Sequence, residues 1–252
     1  MRCLYRETTH KCGETYLDVD IYPVYEKQRG RGPKRNPTSE VQKTLNQRNS
    51  QKKLVRLLNT NFTHRDIRFD LTYAPEHLPD TPKRGIELVR NFFRRVKRLR
   101  AKMGLSPLKY VMVTEYGEEH GRLHHHVIMS GGVDVSVLAE LWGLGYTTAK
   151  PLQFDDRGLV DLATYLTKQS AIKKLWSSSR NLEHPETKSR DGKITAHRVQ
   201  EWSMSANDNR IQIEARYPGY RLVDCIPYIN DVNGGVYLAL HLIKIPQKRK
   251  RC

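Results

Sequence analysis

The sequence predicts an α+β fold, and three observations carry that prediction. Ile67, Phe69, Leu71 and Tyr73 alternate with Arg68, Asp70 and Thr72, the period-two pattern of a half-buried strand. Residues 83–103 place Ile86, Val89, Phe93, Val96 and Leu99 close to helical spacing. Residues 110–116 and 123–130 read as two more strands, joined by the turn-rich bridge Gly117-Glu-Glu-His-Gly121, which suits an antiparallel hairpin.

Taken in order, residues 26–56 carry ten Lys or Arg against two Asp or Glu, with Gly30, Gly32, Pro33 and Pro37 breaking the front half. That half predicts a basic linker. From Ser39, a plausible N-cap, the pattern turns helical and ends on an apolar edge of Leu54, Val55, Leu57 and Leu58. Residues 1–60 are thus expected to be a basic N-terminal segment with a helix. The strand beginning at Ile67 stops at Pro75. The helix over 83–103 bears nine Lys or Arg against Glu87 alone, and Gly104 and Pro107 end it. After the hairpin, the pattern predicts a short helix over 135–142, a strand over 146–154 and another helix over 158–169. These elements sum to an α+β sheet domain over residues 61–175. Beyond Trp176 the chain reads as polar and irregular to about Asn209. Alternating segments at 211–217, 220–228 and 236–245 then predict a small β-rich C-terminal extension within 176–252, closed by the basic tail Lys248-Arg-Lys-Arg251.

A chain of 252 residues can bury a real core, and its 44 Lys and Arg against 27 Asp and Glu leave a net charge of +17. That balance favours a polyanionic partner such as a nucleic acid. The four cysteines, Cys3, Cys12, Cys225 and Cys252, form no CxxC pair, which argues against a zinc knuckle and for a reducing cytoplasm. No apolar leader follows Met1, and the longest apolar stretch, at 236–245, is short and interrupted by His241 and Lys244. Neither export nor a membrane span is expected.

The run His124-His125-His126 concentrates the chemistry. In a strand, His124 and His126 share a face while His125 points the other way with Leu123, Val127 and Met129. If the hairpin closes symmetrically about the Glu119–His120 bond, Glu115 lies across from His124 on the same face, where cross-strand Cβ atoms are about 5 Å apart. Two imidazoles and a carboxylate then converge on one divalent ion, with open positions that suit Mn²⁺ or Mg²⁺ acting as a Lewis acid on a phosphate.

The helix over 158–169 aims Leu159, Leu162, Ala163 and Leu166 at the core and leaves Tyr165 and Lys168 on its flank. Their i, i+3 spacing puts an ammonium on the side of the phenol. A nearby cation or metal favours the phenolate and makes a tyrosine a usable nucleophile. By itself, YxxK is a weak motif; its order after Glu115, His124 and His126 gives it weight.

Glu115, then His124-x-His126, then Tyr165-x-x-Lys168, preceded by a strand ending Leu71-Thr72-Tyr73, resembles the HUH endonuclease superfamily. Within it, the chain is most similar to rolling-circle replication initiators of small single-stranded DNA phages and related plasmids. The resemblance covers about residues 62–168, and Ser179-Arg-Asn-Leu182 with Pro185 looks similar to a segment that follows in phage-type members. It implies a central antiparallel sheet flanked by helices, with a divalent metal (Mg or Mn) held by Glu115, His124 and His126. It further implies Tyr165 as nucleophile, Lys168 as its helper, and a DNA-binding role for Leu71 to Tyr73. The implied substrate is single-stranded DNA or an extruded origin hairpin in a bacterial cytoplasm, with host helicase and polymerase as partners. Two departures stand out: His125 occupies a position that is usually bulky and hydrophobic, and only one YxxK is present, so resolving a circle needs another nucleophile or a second round. Competing readings are a relaxase or single-strand transposase, a metal-dependent nuclease using water, and a non-enzymatic nucleic-acid-binding domain with an RRM-like sheet.

Overall fold

The computed structural model describes residues 4–25, 40–116, 121–167, 176–229 and 234–246. In chain order they form β1 (Leu4–Cys12), β2 (Tyr16–Val24), α1 (Glu40–Asn61), β3 (Ile67–Leu71), α2 (Pro82–Lys102), β4 (Tyr110–Tyr116) and β5 (Leu123–Met129). There follow α3 (Val135–Trp142), β6 (Thr147–Pro151), α4 (Val160–Thr167), β7 (Ser177–Ser178), β8 (Glu186–Asp191), α5 (Ala196–Met204), α6 (Arg210–Arg216), β9 (Tyr220–Ile229) and β10 (Val236–Lys244). The basic linker with its Ser39 cap, the turn at 117–120, Lys168 and the basic tail lie outside the described residues. The architecture is α+β, as the sequence predicts, with two antiparallel five-stranded sheets. They belong to two compact units: Asn46–Phe154 with Leu159–Glu183, and Met1–Leu45 with Asp155–Gly158 and His184–Cys252.

In the first of these units the strand order is β6-β3-β5-β4-β7. One face carries Phe69, Leu71, Met112, Leu123, Val127 and Met129, which form a core with Val89, Phe92, Phe93 and Val96 of α2 and Leu138 and Trp142 of α3. α2 begins where Thr81 accepts a hydrogen bond from the Arg84 amide and Pro82 pre-sets the first turn. Its sheet-facing stripe is apolar, while Lys83, Arg84, Arg90, Arg94, Lys97, Arg98 and Lys102 are exposed. Arg100 is the exception; it is buried and donates to the carbonyls of Ser106 (2.9 Å) and Gly131 (2.6 Å), tying the helix end to two loops. The opposite sheet face carries the buried Val111, Val113 and Ile128. Over it lie α1, with Leu54, Leu57 and Leu58 buried, and α4, with Ala163 and Leu166 buried. These two helices are joined by Gln51 Nε2 donating to Thr164 Oγ1 (2.8 Å) and by the Leu159 amide donating to Asn59 Oδ1 (3.1 Å).

Gly85 lets α2 approach the hairpin closely. A Cβ there would sit 2.6 Å from Leu123 Cδ2 and 3.2 Å from His125 Nε2. Gly85→Ala is therefore expected to destabilise the protein by about 1–3 kcal/mol despite alanine's better helix propensity. An unchanged or raised urea midpoint would show that Leu123 can give way freely.

The second unit has strand order β8-β1-β2-β10-β9 and a core of Leu17, Val19, Ile21, Leu238, Leu240 and Leu242 with Val199, Trp202 and Ile213. The β-rich C-terminal region is present, but the segment expected as a strand at 211–217 is the helix α6. The apparent alternation misled because Ile213 is buried and Ile211 is 81% exposed. An Arg210–Glu214 pair at 2.9 Å, i to i+4, supports the helical turn instead. α5 likewise occupies a stretch expected to be irregular; Thr195 caps it by accepting from the Arg198 amide, and Val199 and Trp202 anchor it. β1 and β2 are additions to the elements read from the sequence. Buried Glu7, which receives Arg216 and the Tyr217 hydroxyl (2.8 Å), puts a charge in what would otherwise read as an apolar alternation. Among the described residues, no helix is long and apolar enough to cross a membrane.

Candidate metal centre and tyrosine

The hairpin sets the register that the symmetry argument requires: Glu115 pairs with His124 and Val113 with His126. Glu115 and both imidazoles therefore project from the α1/α4 side of the sheet. His126 Nε2 lies 2.7 Å and His124 Nε2 3.0 Å from the same Glu115 Oε1, and one ligand atom from each residue lies within 4.8 Å of the others. This cluster could hold a metal ion. A neutral imidazole lone pair facing a carboxylate oxygen at such distances needs a positive species between them, a proton or a metal.

The other ring nitrogens are held in a way that turns Nε2 inward. His124 Nδ1 donates to the Arg122 carbonyl at 3.3 Å, and His126 Nδ1 donates to Asp70 Oδ1 at 2.6 Å. Asp70 sits across from His126 on β3 and also accepts from Arg68 Nε at 2.8 Å. Burial alone would raise the Glu115 and Asp70 pKa values, but their hydrogen bonds outweigh it. Glu115 is pulled down to about 2 by His124 and His126, and Asp70 is lowered by His126 and Arg68. His126 shifts upward, because Asp70 and Glu115 overcome the opposing effect of burial. Burial likewise works against the Arg68 charge, yet Asp70 and the Tyr165 hydroxyl leave its pKa raised.

His125 points into the α2 side of the sheet and is fully buried. Its Nε2 lies 2.8 Å from the Tyr73 hydroxyl and its Nδ1 2.9 Å from Thr114 Oγ1, so a neutral ring satisfies both hydroxyls. The departure from a hydrophobic residue at this position is thus absorbed by a polar pocket in the core.

Tyr165 projects from α4 over the same sheet face as the cluster. Its ring is 5.7 Å from the His126 ring at an interplanar angle of 60°, with the Arg68 guanidinium carbon 4.7 Å from its centroid, while half of the side chain (51%) remains exposed. Sequence reasoning missed Arg68 and Asp70. Their signal was charged residues at alternate positions of an otherwise apolar strand, where a solvated face would be the ordinary explanation.

Residues 66–170 match the family model described as replication-associated protein ORF2. This domain is of a rolling-circle replication initiator family. No curated protein and no solved structure is significantly similar to the chain. Within the initiator domain, Leu71 and Tyr73 are buried in the core, so those two side chains have no surface to offer DNA. Ser179 instead closes the sheet edge, its amide donating to the Tyr110 carbonyl (2.9 Å) and its Oγ accepting from the Tyr110 amide (3.0 Å). The initiator's exposed α2 cations lie beyond the sheet from the Glu115, His124 and His126 cluster.

Proposed function

We propose that this initiator nicks and rejoins single-stranded origin DNA, with Tyr165 as the nucleophile and Glu115, His124 and His126 holding Mg²⁺ or Mn²⁺. The observation that carries the reading is the Tyr165 ring beside His126, above three convergent ligand atoms. When bound, the ion would act as a Lewis acid on the scissile phosphate. Asp70 and the Arg122 carbonyl keep the two imidazoles in the tautomer that presents Nε2. Tyr165 Oη attacks phosphorus as its proton passes to solvent; the bond to the 3′ oxygen breaks, and that oxygen takes up a proton. The products are a 5′-phosphotyrosyl protein and a 3′-hydroxyl able to prime a host polymerase. The reverse attack rejoins the strand without ATP, since the phosphotyrosine conserves the bond.

Affinity for the DNA backbone would come from the exposed α2 cations, with the basic segments at 27–56 and 248–251 adding to it. Because α2 covers the opposite sheet face, it suits a neighbouring stretch of the nucleic acid better than the strand being cut. Lys168 is proposed as the cation that helps position that strand or tune the phenol.

The test is to incubate the whole protein with labelled single-stranded oligonucleotide pools and Mn²⁺, denature it, and map any covalently attached nucleotide by peptide mass spectrometry. Attachment at Tyr165 is expected. Tight binding with no adduct on any pool would favour a binding module, and cleavage without an adduct would favour a water nucleophile.

A further inference from the structure

We infer that Arg68 is a positioning residue for Tyr165, holding the phenol ring over the His126 imidazole so that its oxygen faces the metal cluster. The inference rests on the tyrosine reading above. Tyr165 lies in the last turn of the short helix α4 and is half exposed, a setting in which an aromatic side chain ordinarily exchanges rotamers freely. Here it is bracketed. The guanidinium carbon of Arg68 lies 4.7 Å from the ring centroid, and the His126 ring lies 5.7 Å away.

Both brackets are fixed by one carboxylate. Asp70 Oδ1 accepts from Arg68 Nε at 2.8 Å and from His126 Nδ1 at 2.6 Å, and Arg68 Nη2 is drawn to within 3.1 Å of that same ring nitrogen. Arg68 and Asp70 are two residues apart on β3, so they leave the strand on the same face. Strand geometry thus sets the guanidinium, the guanidinium faces the phenol, and the carboxylate that orients Arg68 also orients a metal-ligating histidine. A planar guanidinium can lie against an aromatic face while its edge keeps the bond to Asp70; an ammonium cannot do both.

The experiment compares Arg68→Ala and Arg68→Lys with wild type in the full chain. It measures single-turnover cleavage of a single-stranded oligonucleotide with Mn²⁺, oligonucleotide affinity, and Mn²⁺ affinity by electron paramagnetic resonance titration. Misplacing a nucleophile by about 1 Å can cost on the order of 10²-fold, and that is the loss expected for Arg68→Ala. Oligonucleotide and Mn²⁺ affinities are expected to stay within about threefold, because the ligands and Asp70 remain. Arg68→Lys should recover less than about tenfold, and added guanidinium ion should restore part of the Arg68→Ala rate, which general loss of folding would not allow.

Cleavage by Arg68→Ala at the wild-type rate would overturn the inference while leaving the tyrosine reading intact. So would a loss confined to oligonucleotide affinity, which would make Arg68 a phosphate contact, or a Mn²⁺ affinity that falls as far as the rate, which would make it a support for His126. If Arg68→Ala does not fold, Arg68→Lys decides: a wild-type rate there excludes a need for the planar group. Absence of an adduct in wild type would overturn the tyrosine reading and this inference together.

Discussion

His124→Ala is expected to lower single-turnover cleavage of a single-stranded oligonucleotide by on the order of 10³-fold, because it removes a ligand from the site that would stabilise developing charge on the phosphate. His124 suits the purpose better than His126. Its side chain is 21% exposed, and its hydrogen bonds are to Glu115 and the Arg122 carbonyl, so Glu115 keeps His126 when it is lost. The folded state should change by about 1 kcal/mol or less, and salt-sensitive DNA binding, which draws on α2 and the basic segments, should stay within about threefold. Tyr165→Phe is the complement: the adduct disappears while Mn²⁺ affinity holds. Parallel loss of cleavage and DNA binding in His124→Ala would assign that residue to folding. A Tyr165→Phe protein that still forms the adduct would mean that another group is the nucleophile.

The ligand set was legible because every step was local. Strand parity separated His125 from its neighbours, and a short symmetric hairpin fixed Glu115 opposite His124, which is the register observed. α2 was legible for a similar reason, since a long amphipathic helix repeats its pattern over many turns. Asp70 and Arg68 escaped because their roles depend on β3 pairing with β5 at one register, a contact between residues 56 apart in sequence for Asp70 and His126. Nothing local specifies that pairing. α6 was misread for the opposite reason: a seven-residue element offers too few periods to separate alternation from helical spacing, and one exposed isoleucine tips the count.

Arg68, Asp70, His126 and Glu115 form a continuous polar row across β3, β5 and β4, on the face that also buries Val111, Val113 and Ile128. Such a row costs desolvation, and it persists because each charge meets its complement: Arg68 with Asp70, Asp70 with His126, His126 with Glu115. Stability therefore constrains the site as well as chemistry does. Removing one member leaves a partly buried neighbour without its partner, so variants here are best compared with their own unfolding curves before rates are interpreted.

The largest stability effect is expected from His125, and it should appear as acid sensitivity. Burial, helped by the neighbouring His124 and His126, holds its pKa down to about 3, against an ordinary histidine value of about 6.5. Between those values the unfolded chain takes up a proton that the folded chain refuses. The contribution is therefore complete above about pH 6.5 and drains away as pH falls toward about 3, amounting to on the order of 5 kcal/mol over the whole window. That is comparable to the entire stability of an ordinary domain, so unfolding in acid should begin well inside the window. His126, whose pKa is raised, acts in the opposite sense: its contribution is present at low pH and is lost as pH rises through its folded value. The two are separated by His125→Leu, which keeps the bulk, removes the titration, and leaves Thr114 Oγ1 without its imidazole partner, while the Tyr73 hydroxyl retains the Gly85 carbonyl at 3.3 Å. At pH 7 this variant should lose about 1–3 kcal/mol. Between pH 6.5 and 4.5 its urea midpoint should fall much less than that of wild type. Parallel midpoints across that range would mean that the core tolerates a charged His125 and that acid sensitivity, if present, arises elsewhere.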